Sequence, residues 1–84
     1  MGRLDGKICV ITGAGGGMGR DAAILFTEEG AQVCAADVNL EAAEETVALT
    51  NGNAFANRVD VADEASVQSM MAATAGRFGG IDLH

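Results

Sequence analysis

A short β-branched run that ends in a cluster of glycines is the feature of this 84-residue sequence that most constrains its fold. Residues 8–12 are Ile-Cys-Val-Ile-Thr, a continuous apolar segment suited to a strand that is buried on both faces. Residues 13–19 then supply five glycines, and a helical pattern follows them. A buried strand joined by a glycine turn to a helix predicts a parallel α/β layout.

Strand and helix patterns alternate along the rest of the chain. Glycine, asparagine or aspartate stands at the boundaries between them, at positions that suit turns and helix caps. The patterns predict a helix over 18–29, a strand over 32–37, a helix from a cap at Asn39 to about residue 49, a strand over 54–59, a helix that follows a cap at Asp63 and is closed by Gly79 and Gly80, and the start of a fourth strand over 81–84.

Two of the predicted helices carry apolar residues at spacings of three and four, which is typical of a face that packs on a sheet. In the first helix these residues are Met18, Ala22, Leu25 and Phe26. In the third helix they are Val67, Met70, Met71, Thr74 and Phe78.

Strand order follows from the handedness of the connections. About 98% of parallel crossovers are right-handed, so the first two helices should lie on one face of the sheet. If the fourth strand returns beside the first, the third helix covers the opposite face and the order becomes 3-2-1-4. Ligands of such sheets bind beyond the carboxyl ends of the strands where the order reverses. The glycine loop after Thr12 falls at that place.

The loop over 13–19 and the acid at position 37 together predict a nucleotide site. Glycines allow a sharp turn that brings N–H groups at a helix N-terminus close to a phosphate. The glycine spacing at the start of the loop does not match the strict dinucleotide pattern G-x-G-x-x-G. Asp37 ends the second strand near the offset of about 20 residues at which a carboxylate meets the adenosine ribose. The alternative is a tight turn with a turn-forming aspartate, but strand, loop, helix and acid in register favour the nucleotide site.

The two cysteines test the register of the predicted strands. Aligning the strand ends Thr12 and Asp37 places Cys9 directly beside Cys34 in adjacent parallel strands. A disulfide between them would be strained, so we expect two thiols.

Composition bounds the remaining possibilities. The formal charge of −7 makes nucleic acid and anionic membranes unsuitable partners, and the length allows one domain at most. The start of the chain lacks the pattern of a signal peptide, which with two cysteines favours a cytoplasmic location. No metal site is predicted.

The motifs resemble the short-chain dehydrogenase/reductase family over essentially the whole chain. Its Thr-Gly-x-x-x-Gly-x-Gly signature is matched by Thr12, Gly13, Gly17 and Gly19, with further matches at Asp37, at Asp60-Val61 and over 78–82. The resemblance implies a partial NAD(P)-binding, Rossmann-like domain over 1–84. The cofactor-binding residues expected from loop and resemblance together are Gly13, Gly15, Gly16, Gly17, Met18, Gly19, Asp37, Val38, Asp60 and Val61.

Cofactor preference and two side-chain roles follow from the same residues. Gly16 and Val38 stand where similar NADP-dependent enzymes often carry a basic residue, so NAD is the expected cofactor. The resemblance implies that Asp60 and Val61 line the adenine pocket, and the alternative for Asp60 is a turn or cap residue before the third helix. Arg20 is expected to face solvent in the first turn of its helix rather than to reach a pyrophosphate.

Catalysis is where the sequence departs from the family. The family's catalytic Ser and Tyr-x-x-x-Lys have no counterpart here, so no catalytic residue is predicted. We expect the NAD(H)-binding segment of an oxidoreductase whose full-length form transfers hydride between the nicotinamide and an alcohol or ketone. Such a protein could be a homo-oligomer. The alternatives are a stand-alone nucleotide-binding module without catalysis and a methyltransferase-like domain, and the glycine spacing argues against the latter.

Overall fold

The computed structural model describes residues 4–80, which form one parallel sheet with helices on both faces. The elements are β1 (Ile8–Thr12), α1 (Gly17–Glu28), β2 (Gln32–Asp37), α2 (Leu40–Ala48), β3 (Ala54–Arg58) and α3 (Glu64–Phe78). The order β1-β2-β3 and the parallel pairing confirm the predicted arrangement of the first three strands. The predicted fourth strand over 81–84 lies outside the described residues.

Side chains alternate between the two faces of the sheet, as the period of a strand requires. Val10 and Cys34 belong to an apolar cluster with Met70 of α3. Cys9 belongs to a second cluster with Ala23 of α1, and α2 packs beside α1. The third helix therefore covers the face opposite the first two, as the right-handed crossovers predict.

The predicted register of the first two strands is wrong by one residue. Cys34 lies opposite Val10, and Cys9 lies opposite Val33. A slip of one position moves a side chain to the other face, so the two sulfurs belong to different clusters. The expectation of two thiols is confirmed.

The apolar residues that predict α1 do not form one buried face: Phe26 packs against the cluster of Cys9 and Ala23, but Met18 and Leu25 do not. Met18 is 88% exposed and Leu25 is 52% exposed, whereas Ala23 and Thr27 are fully buried. The reason is the close approach of α1 to the preceding loop, where a side chain at Gly19 would collide with the backbone carbonyl of Gly13. Only small residues suit the row that starts at 19 and recurs every four positions, and Met18 and Leu25 lie outside that row on the exposed side of the helix.

The helix ends that the sequence marks are observed. Asn39 accepts a hydrogen bond from the N–H of Ala42 at 3.2 Å, and Asp63 accepts one from the N–H of Ala65 at 3.0 Å. Gly79 ends α3 in the left-handed conformation with φ +88°.

The apolar face of α3 lies on the sheet as predicted. Met70 and Thr74 are fully buried, and Val67 and Met71 pack against the same cluster. Within residues 4–80, no helix is long and apolar enough to cross a bilayer.

Candidate functional site

The glycine loop between β1 and α1 lies against the carboxyl end of β2. The N–H of Ala14 donates to the carbonyl of Ala36 at 2.9 Å, which extends the pairing of the two strands by one residue. The chain can then turn back into α1 because Gly13 and Gly17 have φ values of +68° and +54°, in the left-handed region that favours glycine. The loop is thus anchored to the strand that ends in Asp37.

The start of α1 differs from the starts of the other two described helices. Its N-cap residue, Gly16, is extended and offers no side-chain oxygen, and no acidic residue lies in the first turn. The caps of α2 and α3, by contrast, are side-chain oxygens of Asn39 and Asp63. The first N–H groups of a helix have no partner within it, so those of α1 can bind an anion at its positive end.

Asp37 is held in place by two backbone N–H groups. Its Oδ1 accepts from Asn39 at 2.9 Å and its Oδ2 accepts from Gly15 at 2.9 Å. These hydrogen bonds, first that of Asn39 and then that of Gly15, lower the pKa of the carboxyl group. Asp37 is therefore a fixed carboxylate at neutral pH, and its remaining lone pairs can accept further hydrogen bonds.

Gly15 has no room for a side chain. A Cβ at this position would lie 2.6 Å from the Cβ of Ala42 and 2.8 Å from Oδ2 of Asp37. The loop, the end of β2 and the first turn of α2 meet here in direct contact.

A groove at the carboxyl end of the sheet collects half of the residues that the sequence predicts for the site. Its volume is about 350 Å³, and it is lined by Gly13, Asp37, Val38, Val59, Asp60 and Val61. Its two exposed apolar residues are Val38, 60% exposed, and Val61, 68% exposed. A flat apolar ring can lie against such side chains while a polar group reaches the carboxylate.

The other predicted residues lie beside the groove rather than in its lining. Gly15 reaches it through the hydrogen bond to Asp37, and Gly16 caps α1. Gly17, Met18 and Gly19 form the first turn of α1. Val59 lines the groove and was missed, although it directly precedes Asp60 at the end of the third strand region.

Asp60 has the local role that the sequence left open. Its Oδ1 accepts from the N–H of Ala62 at 3.0 Å, and its own N–H donates to Oγ of Ser66 at 3.0 Å. This closes the turn between β3 and α3. The same residue lines the groove, so the two expectations for Asp60 are compatible in this structure.

The expectation that Arg20 faces solvent is wrong. Its side chain is 27% exposed and lies between the glycine loop and α2. The Nε donates to Oγ1 of Thr46 at 2.8 Å, and Nη2 donates to the carbonyl of Gly15 at 2.9 Å. Sequence reasoning also missed Thr46, because no local pattern links two residues that are 26 positions apart.

Comparison with known proteins gives consistent results. The sequence profile of the short chain dehydrogenases matches residues 7–83. A 2,5-dichloro-2,5-cyclohexadiene-1,4-diol dehydrogenase of Sphingobium indicum is 43% identical over 82 residues, which are 98% of this chain and 33% of that protein.

Solved structures agree with the sequence comparison. A hydroxysteroid dehydrogenase from Escherichia coli superposes with a TM-score of 0.93 at 36% identity, covering 98% of this chain and 36% of the other. A 3-ketoacyl-(acyl-carrier-protein) reductase from Brucella melitensis, complexed with NADH, gives a TM-score of 0.89 at 35% identity, covering 95% of this chain and 33% of the other. The chain spans about a third of the length of these relatives.

Proposed function

We propose that this chain, which belongs to the short chain dehydrogenase family, binds NAD(H) and forms the cofactor-binding part of an oxidoreductase that interconverts an alcohol and a ketone. The observation that carries the proposal is the fixed carboxylate of Asp37 beside the glycine loop. A carboxylate that is already oriented can accept hydrogen bonds from both hydroxyls of an adenosine ribose without first being ordered.

The groove and the adjacent N-terminus of α1 would bind different parts of the cofactor. The uncapped N-terminus of α1, formed by Gly16, Gly17, Met18 and Gly19, would hold the diphosphate through backbone N–H groups. Gly13 and Gly15 let the loop come close enough for this. The adenine ring would lie between the exposed side chains of Val38 and Val61, with Asp60 at the rim of the same groove.

The charges around Asp37 support NAD rather than NADP. A 2′-phosphate would meet the carboxylate, and Gly16 and Val38 bring no positive charge to offset the repulsion. Arg20 lies in the first turn of α1, but its Nε and Nη2 donate to Thr46 and to the carbonyl of Gly15. We therefore place NAD first.

The residues that move the substrate proton are proposed to come from the rest of the family fold. The sequence has no Tyr, and Lys7 directly precedes β1, at the amino end of the sheet and away from the groove. Bound NAD would supply the hydride chemistry, and this chain would hold the cofactor in place for that transfer. The dehydrogenase names of the relatives favour an alcohol as the substrate class.

Replacing Asp37 by Ala tests the proposal. In the full natural protein, Asp37→Ala should weaken NAD⁺ binding by about 10- to 100-fold, because hydrogen bonds to a charged group contribute about 1.5–3 kcal/mol each. NADP⁺ binding should weaken less or improve, since the repulsion is lost. Isothermal titration with both dinucleotides measures the two changes.

Asp63→Ala is the matched control. Asp63 is also an aspartate that accepts a backbone N–H, but it caps α3 and does not line the groove. It should leave the ratio of the two dissociation constants unchanged. An unchanged ratio in Asp37→Ala as well would refute the proposed function.

A further inference from the structure

Arg20 and Thr46 form a partly buried polar link between the glycine loop and α2. Besides its bonds to Thr46 and Gly15, the guanidinium Nη2 of Arg20 donates to the carbonyl of Ala42 at 3.2 Å. An ion pair with Glu45 at 3.4 Å lies at the exposed end of the group, where it contributes little. The link therefore depends on the carbonyls and on Thr46.

The hydroxyl of Thr46 has its bonding capacity used within this link. Thr46 is fully buried, and its Oγ1 accepts from Nε of Arg20. The same hydroxyl donates to the carbonyl of Ala14 in the loop. A hydroxyl has one hydrogen to donate, and of its two carbonyl acceptors that of Ala14 is closer than that of Ala42, which lies 3.3 Å away within α2.

The Ala14 carbonyl and the Gly15 N–H belong to one peptide unit. Its oxygen is bound by Thr46 from the α2 side, and its N–H donates to Asp37. Because a trans peptide is planar and its C=O and N–H point in opposite directions, fixing the oxygen also fixes the direction of the N–H. Thr46 and Asp37 therefore bind opposite sides of the same planar peptide group.

We propose that Arg20 and Thr46 are positioning residues that set the affinity for the nucleotide without touching it, because they orient the 14–15 peptide and through it the carboxylate of Asp37. This inference rests on the proposed NAD(H) site. In this inference Arg20 acts through the loop, since its Nε and Nη2 donate to Thr46, Gly15 and Ala42.

Thr46→Val is the main test, because valine keeps the branched shape and removes only the hydroxyl. In the full natural protein we expect NAD⁺ to bind about tenfold more weakly, the loss of roughly one hydrogen bond's worth of preorganisation. Thr46→Ser, which keeps the hydroxyl, should restore binding to near the wild-type value. Wild-type affinity in Thr46→Val would overturn the inference.

Thr27→Val is the matched control for losing a buried threonine hydroxyl. Thr27 is also fully buried, but its hydroxyl donates to Ala23 and Ile24 within its own helix. We expect no change in NAD⁺ affinity. An equal weakening in Thr27→Val and Thr46→Val would show a general loss of packing and would overturn the inference.

A double-mutant cycle with Asp37→Ala tests the path of the effect. If Thr46 acts through Asp37, then Thr46→Val should weaken NAD⁺ binding by less than about twofold in the Asp37→Ala background. An equal effect in both backgrounds would overturn the inference. Arg20→Gln, at the exposed end of the link, gives the same comparison if Thr46→Val does not fold.

A measurement without nucleotide separates this inference from the proposed function. Titration of the Asp37 carboxyl by NMR should show its pKa rising toward the ordinary value in Thr46→Val, since the bond from Gly15 is loosened, and no rise in Thr27→Val. Intact NAD⁺ binding with an unchanged titration in Thr46→Val would refute the inference alone. Absence of NAD⁺ binding in the wild-type protein would refute the proposed function, and with it the claim about affinity.

Discussion

On one face of the sheet α1 and α2 lie against the strands through small residues and a polar link, whereas on the other face α3 packs through larger apolar side chains. Ala23, Ala43 and Thr46 are fully buried on the first face, where Gly19 touches the backbone of the loop. The α3 face is centred on Met70, with partly exposed Val67 and Met71 around it.

The difference between the faces matches what each does for the groove. Apolar packing is not directional, so the α3 face can stabilise the sheet without fixing a single atom of the loop. Hydrogen bonds are directional, and those of Arg20 and Thr46 end on two consecutive loop carbonyls. The α1–α2 face thus combines stability with the placement of Asp37.

The largest expected effect on stability comes from adding a side chain on the α1–α2 face of the sheet. In Gly19→Val, the new Cβ would overlap the backbone carbonyl of Gly13, and neither segment can retreat while β1 and α1 stay paired to the sheet. We expect the free energy of unfolding to fall by about 3 kcal/mol, the upper part of the usual range for overpacking. Urea unfolding of the full natural protein measures the change.

Gly76→Ala is the counterpart on the α3 face. Gly76 lies within α3, and among residues 4–80 nothing outside its own stretch of helix backbone lies within 4 Å of a Cβ at this position. Alanine there should raise the free energy of unfolding by about 0.5–1 kcal/mol through helix propensity alone. If both substitutions destabilised equally, the contrast between the faces would be wrong.

Local signals explain what the sequence predicts well. The caps at Asn39 and Asp63 and the left-handed Gly79 depend on residues within one turn of each helix end. The strand order can be predicted because almost all parallel crossover connections are right-handed. Asp37 is predicted from its place at the end of the second strand, whereas Val38, Asp60 and Val61 are predicted from the family resemblance, and all four line one groove.

Long-range contacts explain what the sequence does not predict. The inner face of α1 is set by how closely the helix approaches Gly13, which hydrophobic spacing does not record. The register of Cys9 and Cys34 depends on where pairing begins, and one position reverses the result. Arg20 and Thr46 meet only after β2 and α2 are in place.

A smaller effect on stability is expected from the ionisation of Asp37, which lies beside the α1–α2 face. The pKa of Asp37 is lowered in the folded protein by the N–H groups of Asn39 and Gly15. A pKa that is lower in the folded than in the unfolded protein stabilises the fold fully above the unfolded pKa of about 3.9. This stabilisation is lost as the pH falls through the folded pKa. The stability difference between wild type and Asp37→Asn should therefore be constant from neutral pH down to about 5 and shrink below about 4.

Chemical denaturation at a series of pH values measures this difference. Asp37→Asn keeps the shape of the side chain and removes its charge, so the comparison isolates ionisation. A difference that grew as the pH fell would contradict the assigned hydrogen bonds.

The two cysteines provide one chemical probe for each face of the sheet. In the native protein, neither should react with an alkylating reagent. Cys9 is 1% exposed on the α1 face and Cys34 is fully buried on the α3 face. Burial raises the pKa of Cys34, and the hydrogen bond with the side chain of Thr74 opposes this only in part. Because the thiolate is the reactive form, neither cysteine should react with iodoacetamide at neutral pH.

Low concentrations of urea should then reveal which face opens first. The α3 face depends mainly on non-directional contacts, whereas the first face also has the directional hydrogen bonds of Arg20 and Thr46, so local opening of α3 should have the lower free energy. We expect Cys34 to be alkylated before Cys9 in urea below the global transition, as measured by peptide mass mapping. Earlier labelling of Cys9 would show that the polar link of Arg20 and Thr46 holds its face less firmly than the apolar cluster holds the other.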